Sequence, residues 1–354
     1  MDKTELERWV QGHGDVPIVT EKNCSNESLV GLNVSNGQFH RVNFTGCDFS
    51  GAIINECQFM ECIFDRSVMN QATITKSNFI QCSLAELTAS ELSMAESSAI
   101  ECSFDGAQWI SPTLALCNFL KTSFVDASLA GLKAESTTWL EGDLTNIRLS
   151  EGEFFRPNFI QVTLAGLNLK NSTLDTPFFR EVNLHEFDFS DVVLSKPQFS
   201  MSVVSQAIFK GLSLSQAGFS DADLSGADFG GANLDNALFI KAIAKGVNFE
   251  RATAKQALFI EADVSLSNFT EAQLEQAQFT NGVCISTIFN KSDLTYVDFS
   301  HADLTEAVLM DCELYRCNLH RIIEEKTQWP GSNRKVALET DPDREEAERG
   351  GPAA

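Results

Sequence analysis

Phe199, Phe209, Phe219, Phe229, Phe239, Phe249, Phe259, Phe269, Phe279, Phe289 and Phe299 mark every tenth residue of the stretch from Phe199 to Leu309. Midway between them stand Val204, Leu214, Leu224, Leu234, Ala244, Ala254, Val264, Leu274, Cys284 and Leu294, and the series closes on Leu304 and Leu309. An apolar residue therefore falls at every fifth position. Two residues before it sits something small, as at Ala207, Ala217, Ala222, Ala227, Ala232 and Ala237. A period of five is neither the helical period of about 3.6 nor the strand period of about 2. It is an internal repeat, and the repeat fixes how everything else is read.

Outward from that stretch the phase holds from about Leu29 to Leu319 without an insertion, and 24 of the 27 Phe lie on it. The early part is degenerate: Met69, Ile74, Ala89, Met94, Ala99 and Ala134 stand in the large slot, as do Trp109 and Trp139. Pro112, Pro157, Pro177 and Pro197 all take the small slot. Proline has no N–H, so this phase should need no ladder donor. Eight of the ten Cys (47, 57, 62, 82, 102, 117, 312, 317) also take the small slot, and Cys24 and Cys284 take the large one. All ten are expected to be buried, unpaired fillers, as free Cys commonly is. Unpaired thiols suit a reducing compartment.

The net charge of −23 makes a nucleic-acid backbone a poor partner, so no direct nucleic-acid binding is expected. No apolar run of membrane-spanning length is present, and Met1–Val19 lacks a secretory h-region. A cytoplasmic location is expected, with export by a signal-less secretion system as the alternative. The His residues (13, 40, 185, 301, 320) are dispersed, and no nucleophile elbow or phosphate loop occurs. No catalytic, cofactor or metal residue is assigned, and the chain is expected not to be an enzyme. Gly226, Gly230 and Gly231 fall in turn phases that need permissive φ. Asp223 and Asp228 read as turn residues bonding local backbone.

The units Ala222-Asp223-Leu224-Ser225-Gly226, Ala227-Asp228-Phe229-Gly230-Gly231 and Ala232-Asn233-Leu234-Asp235-Asn236 resemble the A(D/N)(L/F)xx motif of the pentapeptide-repeat family. The resemblance implies an all-β fold, a right-handed quadrilateral parallel β-helix with one pentapeptide per face and four per coil. About fifteen coils at about 4.8 Å would make a rod on the order of 70 Å. Residues 1–23 are expected to form an N-terminal cap with a short helix over Thr4–Val10, a Thr4/Glu7 capping box, and Gly12 and Gly14 ending it. The β-helix is assigned to residues 24–320. Residues 321–330, with Thr327-Gln328-Trp329-Pro330, are assigned to a C-terminal cap, and 331–354 to a disordered tail.

In a coil of twenty residues, n, n+20 and n+40 share a column. One outward column then reads Met60, Ile80, Ile100, Leu120, Leu140, Ile160, beside Glu61, Glu101, Lys121, Glu141 and Glu181. Further along, the same face carries Phe178, then Leu238 and Ile240, then Leu258 and Ile260. The ten apolar residues other than Phe178 are the candidate protein interface. The first function reading is a non-enzymatic bacterial scaffold that holds a protein partner, or a second copy, along one face. The resemblance adds a link to a secretion system, as effector or accessory. The alternative is an acidic DNA mimic acting on a type II topoisomerase, a role found in this family. Residues 21–320 carry 37 Asp and Glu against 18 Lys and Arg, roughly half the linear charge of a duplex of that length.

Overall fold

The computed structural model describes residues 1–11 and 17–350, the side chains of residues 9–11 excepted. Gly12, Gly14 and residues 351–354 lie outside the described residues. The chain divides into two units: Met1–Val182 with Asp191–Val193, and Asn183–Ser190 with the chain from Leu194 onward. Each unit is an all-β parallel solenoid.

The first unit is built on three-residue strands that pair in parallel with the strand twenty residues on. One nine-stranded sheet runs from Ile18–Thr20 to Phe178–Arg180, and a second begins at Asn33–Ser35. A three-stranded sheet joins Thr88–Ser90, Gln108–Ile110 and Ser128–Ala130. In the second unit the same spacing continues through single bridging residues, four to a coil: Gln198↔Gly218, Val203↔Asp223, Ile208↔Asp228 and Ser213↔Asn233. The strand-paired part thus counts nine coils, fewer than the fifteen expected, and beyond it the coils pair through single bridging residues.

The period of five has a direct cause. The large and the small slot both point inward, and the positions around them face out. Phe199 through Phe299 are 0% exposed, and so are Ala217, Ala227 and Ala237. Successive rings of one column stack, as Phe239 on Phe259 at 4.5 Å and 4°. Rings from the opposite column meet them edge-on, as Phe239 and Phe249 at 5.8 Å and 88°. This is the edge-to-face geometry that aromatic quadrupoles prefer. At the corners every fifth residue takes a left-handed φ, for example Glu61 at 54° and Lys121 at 52°. That conformation costs an L-residue about 1–2 kcal/mol. It is offset by the ladder it serves, since the Glu61 N–H donates to the Ile80 carbonyl at 2.9 Å. Gly226 and Gly231 sit in this phase at φ 70° and 66°. Gly230 does not: it occupies the position before, where φ is not left-handed.

The prolines follow their phase. The carbonyls of Pro112, Pro157 and Pro197 accept from Lys133, Phe178 and Gly218, each at 2.9 Å. In other coils the small-slot N–H closes a local turn, as Ala52 to Phe49 at 2.9 Å, or meets a side chain of the next coil, as Cys57 to Ser77 Oγ at 3.0 Å, in place of a backbone ladder bond. Asp223 and Asp228 accept from the N–H of Ser225 and Gly230 at 2.9 Å, the local turn bond their spacing implied.

The ends differ from expectation. Helix α1 spans Lys3–Gln11. Its capping box is Asp2/Glu5: Glu5 N–H donates to Asp2 Oδ1 at 2.8 Å and Asp2 N–H to Glu5 Oε2 at 3.2 Å. Glu7 is needed elsewhere, accepting from Asn33 N–H at 3.4 Å, and Lys3 donates to the Val30 carbonyl at 2.7 Å. Leu6, 0% exposed, closes the first coil. Coil pairing begins at Ile18, ahead of residue 24. At the other end, residues 321–330 still bridge as a coil, through Asp303↔Ile323 and Val308↔Gln328.

The expected tail is ordered as far as residue 350. A 3-10 turn at Arg334–Val336 and the bridge Asn318↔Leu338 lead into helix α2, Pro342–Gly350. Asp341 caps α2, accepting from Asp343 and Arg344 N–H at 3.0 and 3.2 Å, with proline at the first helical position. No residue of α2 is buried. Polar composition hid this helix, because its attachment is ionic.

Candidate functional site

Met60, Ile80, Ile100, Leu120, Leu140 and Ile160 form one continuous outward ladder, each directly paired with the next on the first sheet. His40 precedes it and Arg180 follows it. Met60 is 40% exposed, and the other five are half-buried because stacked neighbours shield each other. Leu238, Ile240, Leu258 and Ile260 are also half-buried and form a smaller patch in the second unit. There Leu238 bridges Leu258, and Lys241 N–H donates to the Ile260 carbonyl.

On one side the ladder is edged by amides and hydroxyls, with Ser98 donating to Asn78 and Asn158 to Thr138. On the other side lies a corner column in which carboxylates alternate with donors. Arg41 Nε donates to Glu61 at 2.9 Å, Gln81 to Glu101 at 2.9 Å, and Gln161 to Glu181 at 2.6 Å. Lys121 pairs with Glu141 at 3.8 Å. The hydrogen bond and charge of Arg41 hold the Glu61 carboxyl below its ordinary range. The acidic column is legible once residues twenty apart are aligned; the donors Arg41, Gln81 and Gln161 lie on the same column. Glu21, Glu61, Glu101, Glu141 and Glu181 outnumber Arg41 and Lys121, so the corner stays acidic.

A groove of about 480 Å³ crosses the second sheet. It lies over Thr113, Ala115, Lys133, Glu135, Glu153 and Phe155, with the Arg156 guanidinium 4.8 Å above the Phe155 ring. Ala115, on the outward column that runs through Glu135 to Phe155, leaves the room for it, a depth that no linear pattern displays.

The thiols stand as their phase implied: all ten are free and buried. Burial pushes Cys57 and Cys117 up to about 11. Hydrogen bonding with Cys102 and Cys62, in which the protonated Cys82 thiol is the donor, followed by burial, holds Cys82 far above the thiol range.

The histidines are not all dispersed. His301 and His320 meet edge-on, 5.3 Å between centroids, around Glu348 of α2. Glu348 Oε2 lies 3.4 Å from His301 Nε2, 3.2 Å from His320 Nε2 and 3.0 Å from the Arg321 guanidinium, and Arg344 Nε donates to Oε1 at 2.9 Å. Desolvation opposes ionisation here, but the bonds from Arg321, His320 and Arg344 and the charge of His301 prevail and hold this carboxyl down to about 2. Two imidazoles and a carboxylate could suit a metal ion, yet the donor pattern does not fit one. His320 Nδ1 accepts the Asp341 N–H at 3.2 Å, so the neutral ring carries its proton on Nε2, the atom a metal would need. Two guanidinium groups already occupy the carboxylate. The cluster is the anchor of α2.

A parallel solenoid with inward large and small slots at a five-residue period defines the class. The pentapeptide-repeats family profile matches in eight copies, over residues 28–66, 43–79, 217–253, 248–282 and 287–323. The chain is a pentapeptide-repeat protein. Among solved structures it is similar to HetL of a Nostoc cyanobacterium, described as involved in heterocyst differentiation regulation, at 20% identity over 62% of this chain and 91% of that one, TM-score 0.45. It is also similar to full-length QnrB1, a plasmid-mediated fluoroquinolone resistance protein, at 19% identity over 65% and 99%, TM-score 0.22. No curated protein matches the sequence. Among the described residues, no helix is long and apolar enough to cross a membrane.

Proposed function

We propose that the protein is a non-enzymatic scaffold that holds a protein partner along the outer face of the first sheet. The observation that carries this reading is the six-residue apolar ladder from Met60 to Ile160, in register over six strands and edged by an acidic corner. A water-facing sheet column is ordinarily polar; a run of aliphatics there is the usual mark of an interaction surface. Ten buried thiols support work in a reducing compartment such as the cytoplasm. The corner columns weigh against duplex mimicry, because their carboxylates alternate with intramolecular donors, as Glu271 with Arg251 at 2.8 Å and Glu306 with Lys326 at 2.8 Å.

The double variant Leu120→Glu/Leu140→Glu tests the reading. Both positions point outward, so the β circular-dichroism spectrum should be unchanged. Self-association by light scattering, or the set of proteins that co-purify from the native host, should be lost. An unchanged set together with unchanged self-association would remove the ladder as an interface.

A further inference from the structure

The second unit contains its own example of a helix lying against a solenoid face. Ser220, Ile240, Ile260, Thr280, Ser300 and His320 form one outward column there, linked coil to coil by the corner N–H groups, as Lys241 to Ile260 and His301 to His320. At its upper end α2 settles on this column. His320 is 1% exposed and Ser300 is 1% exposed, whereas Ile240 and Ile260 below them are half-buried. The corner beside that end is basic, His301 and Arg321, and the helix on it is acidic, with Asp343, Glu345, Glu346 and Glu348 against Arg344 and Arg349. The contact is therefore an outward column that receives a helix and a corner column that reads its charge.

The first unit offers the same arrangement with the sign inverted. The outward column is Met60–Ile160, and the corner beside it is acidic at Glu61, Glu101, Glu141 and Glu181. We propose that this ladder and its acidic corner receive an amphipathic α-helix of a protein partner, with an apolar face on the ladder and Lys or Arg along the flank over the corner. The inference rests on the reading of this face as a protein interface and specifies the partner.

The dimensions agree. Five inter-coil steps of about 4.8 Å make the ladder about 24 Å long. A helix rises about 1.5 Å per residue, so about sixteen residues cover it. Its apolar side chains recur once per turn, every 5.4 Å or so, close to the spacing of the ladder, and a modest tilt absorbs the difference. Side chains at i, i+3, i+4 and i+7 would anchor in this way, as in other helix-in-groove complexes. Glu101, bonded to the neutral Gln81, is the corner carboxylate with charge left for a Lys or Arg at the rim to meet, whereas Glu181 also pairs with Arg180 at 3.1 Å.

The test uses the full chain and an eighteen-residue Leu/Lys peptide with one apolar face. Its Leu/Glu counterpart and a shuffled Leu/Lys peptide of the same composition are the controls, all followed by fluorescence anisotropy at physiological salt. The amphipathic Leu/Lys peptide should bind at least about tenfold more tightly than either control. Glu101→Lys/Glu141→Lys should reverse the preference toward Leu/Glu, and the milder Glu101→Gln/Glu141→Gln should weaken Leu/Lys binding several-fold. Glu86→Lys/Glu151→Lys, on other corners, makes the same change in net charge and should leave the affinity within about twofold. Equal binding of the shuffled peptide, an equal loss in the Glu86/Glu151 variant, or no binding at all would overturn the inference. If no basic helix binds while Leu120→Glu/Leu140→Glu still abolishes self-association or co-purification, the face stands and only its assigned partner falls. If that variant abolishes nothing, the face itself falls.

Discussion

Phe239→Ala is expected to destabilise the second unit by about 3–5 kcal/mol, among the largest effects of any single truncation in the chain. Phe239 is 0% exposed, stacks on Phe219 at 5.1 Å and on Phe259 at 4.5 Å, and meets Phe229 and Phe249 edge-on. Alanine would leave a cavity one ring deep inside a column whose neighbours are fixed by coils above and below, so little collapse can fill it. Each coil rests mainly on its two neighbours, so the loss should be local at first. Denaturant unfolding followed by hydrogen exchange checks this. Amides of the coils around 239 should lose protection before those of the first unit. A cost under about 1 kcal/mol would mean that the ring stack contributes little to holding the coils together.

Ala237→Asp is expected to cost still more at neutral pH. The small slot at 237 is 0% exposed and is walled by apolar side chains. A carboxyl buried without a partner has its pKa raised by up to about 3–5 units, equivalent to roughly 4–7 kcal/mol against the ionised form. The folded pKa is raised, so the folded state binds the extra proton and the deficit depends on pH. It should be smallest below the unfolded pKa near 4 and grow as pH rises toward the folded value. Chemical denaturation at several pH values measures it. A deficit that does not change with pH would point to a steric cause in place of a buried charge.

These two substitutions probe what was plainest in the sequence. A ring at every tenth residue and a recurring alanine two before the apolar slot define an interior, because the same side-chain type returns to the same place every five residues. The outer face was legible one level up, once residues twenty apart were placed in a column, and Met60 through Ile160 emerged that way. What escaped was whatever depends on contacts between columns or on a single side chain's partner. The Asp2/Glu5 capping box displaced the Thr4/Glu7 one because Glu7 reaches the Asn33 N–H, a tertiary demand. Helix α2 was passed over because it buries no apolar residue, although Asp341-Pro342 is a helix-start signal and Glu348 finds its partners 27 and 28 residues away. His301 and His320 are nineteen apart, one short of a coil, so their meeting belongs to a corner and its neighbouring face. The groove beside Phe155 depends on Ala115 in the same outward column, which composition does not reveal.

Core, ladder and acidic corner all depend on one quantity, the twenty residues that separate one coil from the next. Pulsed dipolar spectroscopy between spin labels on the second sheet measures it directly. The ten native thiols are buried, so cysteines introduced at exposed outward sites can be labelled selectively. Asn33 can be paired in turn with Thr113, Glu153 and Thr173, which lie four, six and seven coils away on one continuous ladder. The expected separations are about 19, 29 and 34 Å, a straight line of about 4.8 Å for every twenty residues. Distances that fail to grow with coil number, or that follow any other increment per twenty residues, would contradict the shared column on which both the interior and the binding face rest.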